Sequence, residues 1–399
     1  MTNIKKMPYI RVGTTFYKKI NQPLASGDSI TRLVPWSIST LKQDETSEAI
    51  SGIKKYDSFC TIPSHLEYKQ EVGASVNRYE PFNHKPLIGE CPKTLAFLKH
   101  IFGEQFEFGL DYIKLLLEKP TQLLPILCLV SDERNTGKTT FLNFMKAFFG
   151  ANMTINTNED FRSQFNADWT TKLIIGVDEV LLDKKEDSER IKSLSTSRTY
   201  KTEAKGVDKV ESDFFGKFIL CSNNEETFIK IDQGEIRYWV RHIPTLAQDN
   251  TNLLEELKAE IPYFLNYLIK RAYSTESKSR MWFTPVQIHT DALDKVIKNN
   301  KTYFEKEIVE IVLDEMLEFN LEEICFTNKD LLELLGNKIN RFQLKTILQD
   351  RLGLKPNEVP STYKKYFRIY LSDGSDAITH ELRTGRYYTF KKKDFIQSM

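Results

Sequence analysis

Lys138 and Thr139 are the residues from which a chemistry can first be read. They stand in Gly137-Lys138-Thr139, with an apolar run before them and a helical pattern behind. Leu124-Pro-Ile-Leu-Cys-Leu-Val-Ser131 is short enough to be one buried strand. Phe141, Leu142, Phe144, Met145, Phe148 and Phe149 recur at helical spacing. A strand, a tight loop and a helix make a phosphate-binding loop. Loop amides and the helix N-terminus point at the phosphates, the ammonium adds a point charge, and the hydroxyl can ligate Mg²⁺. The expected nucleotide-binding residues are Asn135, Thr136, Gly137, Lys138, Thr139 and Thr140. The usual pattern has a glycine five residues before Gly137. That place holds Asp132, whose carboxylate near a phosphate would weaken binding.

Further strand ends carry candidates. Lys172-Leu-Ile-Ile-Gly-Val-Asp-Glu-Val180 is an apolar strand ending in Asp178 and Glu179. A nucleotide hydrolase needs such a pair: Asp178 would hold Mg²⁺ with Thr139, and Glu179 would polarise the attacking water. A solvated acidic turn after a buried strand has the same pattern. Phe214-Phe-Gly-Lys-Phe-Ile-Leu-Cys-Ser-Asn-Asn224 is another apolar strand. At its tip a neutral amide, Asn223 before Asn224, can orient water or sense the γ-phosphate. Gly234-Glu-Ile-Arg-Tyr-Trp-Val-Arg-His-Ile-Pro244 alternates as a strand does and puts Arg237 and Arg241 on one side. Arg237 is the first choice, and Arg241 the second, for an arginine reaching a neighbouring subunit's nucleotide. A surface salt bridge is the plainer role. Between the acid pair and Asn223, Lys201, Lys205 and Lys209 recur around Gly206. Basic side chains beside a glycine turn suit a loop that tracks a single strand, although Glu203, Asp208 and Glu211 interleave and also suit a solvated hairpin.

The elements that must position these residues belong to an α/β chain long enough, at 399 residues, for two or three domains. Net charge is +1, so no whole-chain field announces nucleic acid, and any basic surface is local. Five dispersed cysteines without a CxxC pair argue against a zinc site or a disulfide framework and suit a reducing cytosol. No apolar stretch approaches the roughly 18 residues of a membrane helix, and the N-terminus lacks the apolar core of a signal peptide. The expected location is the cytoplasm, with no membrane partner. Residues 1–90 read as an N-terminal appendage or linker, in which His65 and His84 are isolated. Residues 91–250 read as the nucleotide-handling core with a helical lead-in over 91–120, and 251–300 as a helical lid. Asn158 is the expected cap of a helix starting at Glu159. Over 301–399 a helix-turn-helix is followed by an expected hairpin of Tyr366–Leu371 with Arg386–Lys393, a winged-helix pattern that suits either DNA or protein docking.

The order Lys138-Thr139, Asp178-Glu179, Asn223, with a basic loop between the second and third, resembles the superfamily-3 helicases. These are AAA+ ATPases, and the likeness is nearest to the helicase part of phage, plasmid and mobile-element primase-helicases. It is carried by Leu129–Phe141, Phe165–Trp169, Val177–Glu179, Phe218–Asn224 and Glu235–Arg241, and it covers about residues 56–244. The resemblance implies a three-layer P-loop AAA+ core with a parallel central sheet, a helical lid and a C-terminal winged helix. It also implies an ATP- and Mg²⁺-dependent replicative DNA helicase working as a homo-hexamer on single-stranded or forked DNA in a bacterial host. Glu179 would be the general base, Asn223 the sensor, Arg237 the finger acting across subunits, and Lys201, Lys205 and Lys209 the pore loop. Residues 1–90 hold no acidic cluster suited to a polymerase-type site, so a primase or polymerase is expected on another chain. The rival readings are a replication initiator or assembly ATPase that binds DNA without unwinding it, and a P-loop kinase.

Overall fold

The computed structural model describes residues 7–23, 29–163, 169–182, 184–202, 210–231, 235–370 and 376–396. Contacts divide the chain into two units, Met1–Lys295 and Val296–Met399. Among the described residues no helix is long and apolar enough to cross a membrane.

The first unit is built on five parallel strands: β1 (Ile126–Val130), β2 (Met153–Asn156), β3 (Ile174–Val177), β4 (Lys217–Ser222) and β5 (Tyr238–His242). Their order across the sheet is β5-β1-β4-β3-β2. β1, β3 and β4 are buried at every position, as strands covered on both faces must be. Leu127, Leu129, Ile219, Cys221 and Trp239 enter one core with helices α1 (Pro92–Phe102), α2 (Phe106–Glu118), α3 (Lys138–Phe149) and α5 (Leu253–Lys270). Alternate residues look the other way. Phe218 meets Phe161 and Phe214, and the Tyr238 hydroxyl lies 3.3 Å from Ser188 on α4 (Lys185–Thr196).

Residues expected as a lid are built into the first of these cores. α5 buries Leu257, Ile261, Phe264, Leu265 and Leu268, and Phe264 packs on Phe144 and Phe148 of the helix behind the phosphate loop. The segment before residue 90 joins the same core. Tyr79 belongs to it, and His65 is buried with its ring nitrogens against the Tyr79 hydroxyl (2.7 Å) and the Leu117 carbonyl (2.9 Å), a structural role for that histidine. Farther toward the N-terminus, Ser29–Trp36, Thr15–Pro23, Tyr9–Val12 and Lys54–Tyr56 form a separate four-stranded sheet.

The second unit runs from within the helix Asp291–Glu318 through strand Glu323–Thr327 to helices Asn328–Leu334 and Arg341–Thr346, and then into strands. The hairpin differs from the expected one. Ser361–Tyr370 pairs with Asp376–Gly385, while Tyr387–Lys391 pairs with Glu323–Thr327. The basic run at residues 391–393 therefore begins on a strand that closes the unit's core through Tyr388 and Phe390. Asp330 draws the hairpin onto the second helix, accepting from the Tyr363 hydroxyl (2.6 Å) and Lys365 (2.9 Å) while capping its own helix with Thr327.

A candidate nucleotide site at one edge of the sheet

All five strands run the same way, so their C-terminal ends share one edge, where ligands of open parallel sheets bind. β4 lies between β1 and β3. The phosphate loop, the β4 tip and the acid pair after β3 therefore stand side by side, about 4.8 Å per strand apart.

The loop after β1 turns through Asn135 (φ 56) and Gly137 (φ 86), both left-handed. At Gly137 a side chain would be doubly excluded, because a Cβ would lie 3.0 Å from the Phe97 ring as well. The first hydrogen bond of α3 is from Phe141 N–H to the Gly137 carbonyl (2.8 Å), so the amides of Lys138, Thr139 and Thr140 have no intrahelical acceptor. Thr136 is buried and structural, its hydroxyl accepting from the Lys138 ammonium at 3.0 Å. That ammonium also donates to Ser131 Oγ. Burial pushes the Lys138 pKa down, against Cys221, Asp178 and Asp132, which hold it up. The loop is braced from outside by His100 Nε2 at 3.0 Å from the Thr136 carbonyl and by Leu246 N–H to the Asn135 carbonyl at 3.0 Å.

Thr139 Oγ1 donates to Asp178 Oδ2 at 2.9 Å. A hydroxyl and a carboxylate are the hard oxygen donors that Mg²⁺ takes, so these residues fit the ion the sequence implies and would hold it directly or through water. Glu179 sits at φ 52, unusual for a side chain of its size. Asn158 holds it there, with Nδ2 donating to the Glu179 carbonyl and Oδ1 accepting from Leu181 N–H, both at 3.1 Å. The expected cap role of Asn158 falls instead to Thr157, which forms a capping box with Asp160. The spacing Thr157-x-x-Asp160 is the signal that would have freed Asn158 for this task.

Asn223 is exposed at the β4 tip, and its side chain makes no hydrogen bond among the described residues. Asn224, the second choice, folds its amide into its own turn, accepting from the Glu226 and Thr227 amides. Asp132 Oδ1 accepts from Glu225 N–H at 3.3 Å, which ties it to the β4 loop. Burial and the Asp132 carboxyl raise the Glu225 pKa, while His242 (3.8 Å) and Lys295 (3.7 Å) lower it. The sequence had singled out neither Glu225 nor His242.

Arg237, just before β5, and Arg241, within it, part company. Arg241 is buried, paired with Glu104 and 3.1 Å from Gln105 Oε1. Arg237 stands at the opposite end of the sheet from the phosphate loop, where its carbonyl accepts from Ile126 N–H at the start of β1. The run of β1 separates it from its own chain's loop by roughly 13 Å or more at about 3.3 Å per residue. Lys201 is on a hairpin strand, opposite Glu211, and Tyr200 beside it stacks on Trp169. Lys205 and Lys209 lie outside the described residues.

The fold and the edge it builds define an α/β chain with a P-loop-like core. Residues 129–237 match the model of a family of unknown function, DUF5906. No curated protein matches. Among solved structures, the apo C-terminal region of NrS-1 (305–718) superposes with a TM-score of 0.57 at 19% identity, over 86% of this chain and 83% of that one. The A form of the same region gives 0.58 at 19% identity, over 86% and 83%. A JCV helicase is matched at 0.30 and 13% identity, over 54% of this chain and 60% of that one, too slight to build on. At these identities the likeness to NrS-1 is one of fold.

Proposed function

We propose that this chain is an ATP-dependent replicative DNA helicase of the superfamily-3 AAA+ kind, from a phage or mobile element. One observation carries the reading: Thr139 and Asp178 meet at 2.9 Å, at an edge that also bears Lys138, Glu179 and Asn223. In this reading the open amides of residues 138–140 and the Lys138 ammonium bind the β- and γ-phosphates. Thr139 and Asp178 hold Mg²⁺, which neutralises charge developing on the phosphates. Glu179, steadied by Asn158, accepts a proton from the attacking water, and Asn223 orients that water. Arg237, remote from its own loop, serves the nucleotide of the next subunit in a homo-hexamer. Lys201, Lys205 and Lys209 track single-stranded DNA.

The second unit is read as a winged helix. Lys365, Arg368, Arg383 and Lys391 pair with carboxylates of the same unit, which favours docking to protein, such as a separate primase or polymerase, over DNA. The decisive experiment is single-strand-stimulated ATPase and forked-duplex unwinding with Lys138→Ala and Glu179→Gln. Both variants should lose both activities. Full ATPase in Glu179→Gln would refute the mechanism, and ATPase without strand displacement in the unaltered chain would leave an initiator or assembly ATPase instead.

A further inference from the structure

Glu235 has no part in the site described so far, yet it is the most heavily engaged group around Arg237. Its Oε1 accepts from the backbone amides of Ile236 (3.0 Å) and Arg237 (3.1 Å), and its Oε2 accepts from Arg237 Nη1 at 3.0 Å. One carboxylate thus grips both the peptide and the guanidinium of the same arginine. The Glu235 side chain is only 11% exposed, whereas that of Arg237 is 32% exposed. The partner that fixes the geometry is inside and the charge that is presented is outside. Lys192 Nζ, itself 6% exposed, stands 3.8 Å from Glu235 Oε2. Lys192 belongs to α4, the helix that follows the Asp178-Glu179 strand. An arginine presents about five N–H donors in a fixed plane, of which two suffice to grip a phosphate, and its long stem otherwise spends rotamer entropy in doing so. Restraining the stem beforehand removes that cost.

We propose that Glu235 is a positioning residue for Arg237. It holds the guanidinium just before β5, ready for a phosphoryl group on an adjoining copy of this chain, and Lys192, whose ammonium donates to Glu189 at 2.7 Å, adds a second positive charge beside Glu235. This rests on the cross-subunit reading of Arg237. A carboxylate beside a finger also sets how far it can commit. The guanidinium keeps one face on Glu235 while its remaining N–H groups are free to donate, so phosphate engages it without displacing Glu235. Glu235 then acts on turnover and leaves nucleotide affinity, which belongs to residues 135–140, untouched.

The test uses the full chain assembled with ATP and single-stranded DNA, and compares Glu235→Gln, Glu235→Asp and Arg237→Ala. Glu235→Gln should lower kcat about 10- to 100-fold, as expected for losing one charge-assisted bond and its preorganisation, with KM for ATP within about twofold. Arg237→Ala should lower kcat by about 10³-fold or more. Glu235→Asp, which keeps the charge, should recover most of the loss. Mixing supplies a readout that a merely structural role would not move. Chains carrying Lys138→Ala have an intact Arg237, so they should restore turnover when mixed with either Glu235→Gln or Arg237→Ala. A mixture of Glu235→Gln with Arg237→Ala should stay low. If Arg237→Ala loses turnover while both Glu235 variants keep it, the inference is overturned and the cross-subunit reading stands. Recovery on mixing Glu235→Gln with Arg237→Ala, instead of with Lys138→Ala, would also overturn it, because Glu235 would then serve its own subunit's site. If Arg237→Ala itself turns over normally, it is the underlying reading that fails.

Discussion

Replacing Asn158 by alanine isolates the link that keeps Glu179 in place. The variant removes two hydrogen bonds of 3.1 Å, one to the Glu179 carbonyl and one from Leu181 N–H. Each is worth about 0.5–1.5 kcal/mol, so roughly 1–3 kcal/mol of restraint is lost across the peptide that carries the carboxylate. Holding a non-glycine residue at positive φ costs about 1–2 kcal/mol. The restraint and the strain at φ 52 are therefore of the same size, and without Asn158 the backbone of Glu179 relaxes toward negative φ and swings its carboxylate away from the Asp178 side. A loss of about 1.4–2.7 kcal/mol in the transition state is about 10- to 100-fold in rate. The assay is steady-state ATPase with single-stranded DNA over a full ATP titration. It should give kcat lowered about 10- to 100-fold and KM within about twofold, because the phosphate loop is untouched. The melting midpoint should fall by only a few degrees, since the lost bonds lie near the surface. Unchanged kcat, or a rise in KM at unchanged kcat, would refute the role assigned to Asn158.

Three further outcomes follow from the same contacts. The Glu225 carboxyl titrates above its ordinary 4.5 when folded, so its stabilising contribution is present at low pH and is lost as pH rises through the folded value. Glu225→Gln, which mimics the protonated acid, should match the parent near pH 4 and be the more stable of the two near pH 8 in thermal melts; the reverse order would deny that folding raises the Glu225 pKa. In the second unit, burial pushes the Asp330 carboxyl up, but hydrogen bonds from Thr327, Tyr363 and Lys365 outweigh it and bring it down to about 2. Its contribution is therefore present above 3.8 and lost as pH falls through about 2. Asp330→Asn should cost the unit about 1–2 kcal/mol at neutral pH by chemical denaturation, a difference that shrinks through about pH 2 and vanishes below it. Arg241→Ala should lower thermal stability by about 2 kcal/mol through loss of the Glu104 pair and the Gln105 contact, whereas Arg237→Ala, which leaves Glu235 its backbone amides, should cost about 1 kcal/mol or less and remove turnover.

Where sequence and structure part, the difference is one of range. The strands were legible as apolar runs, since a strand covered on both faces is predominantly apolar: β1 is so throughout, and β4 is so between Lys217 and Ser222. The phosphate loop was legible because strand, glycine turn and helix lie within one short window. What could not be read was how side chains from distant windows meet. Asp132 reads as a carboxylate beside phosphate, and the sequence does not show that its Oδ1 also accepts from the amide of Glu225, 93 residues later. The expected hairpin of the second unit erred for the same reason: Tyr387–Lys391 is as good a strand as its neighbours, and its partner, Glu323–Thr327, is some 60 residues before it.

Arg237 and Arg241 draw the line most sharply. By sequence alone they are the same residue type, four apart on one side of one expected strand, but in the fold the strand begins at Tyr238 and only Arg241 belongs to it. The sequence by itself also determined the apolar strands, the glycine turn and the acid pair, because each rests on interactions between near neighbours in the chain. Which arginine is locked into the core and which is presented at its surface was decided by Glu104, 137 residues away, and by the end of the sheet at which each one stands. Only the tertiary structure sets strand order and long-range pairing, since these depend on burying surfaces that no single window of the chain contains.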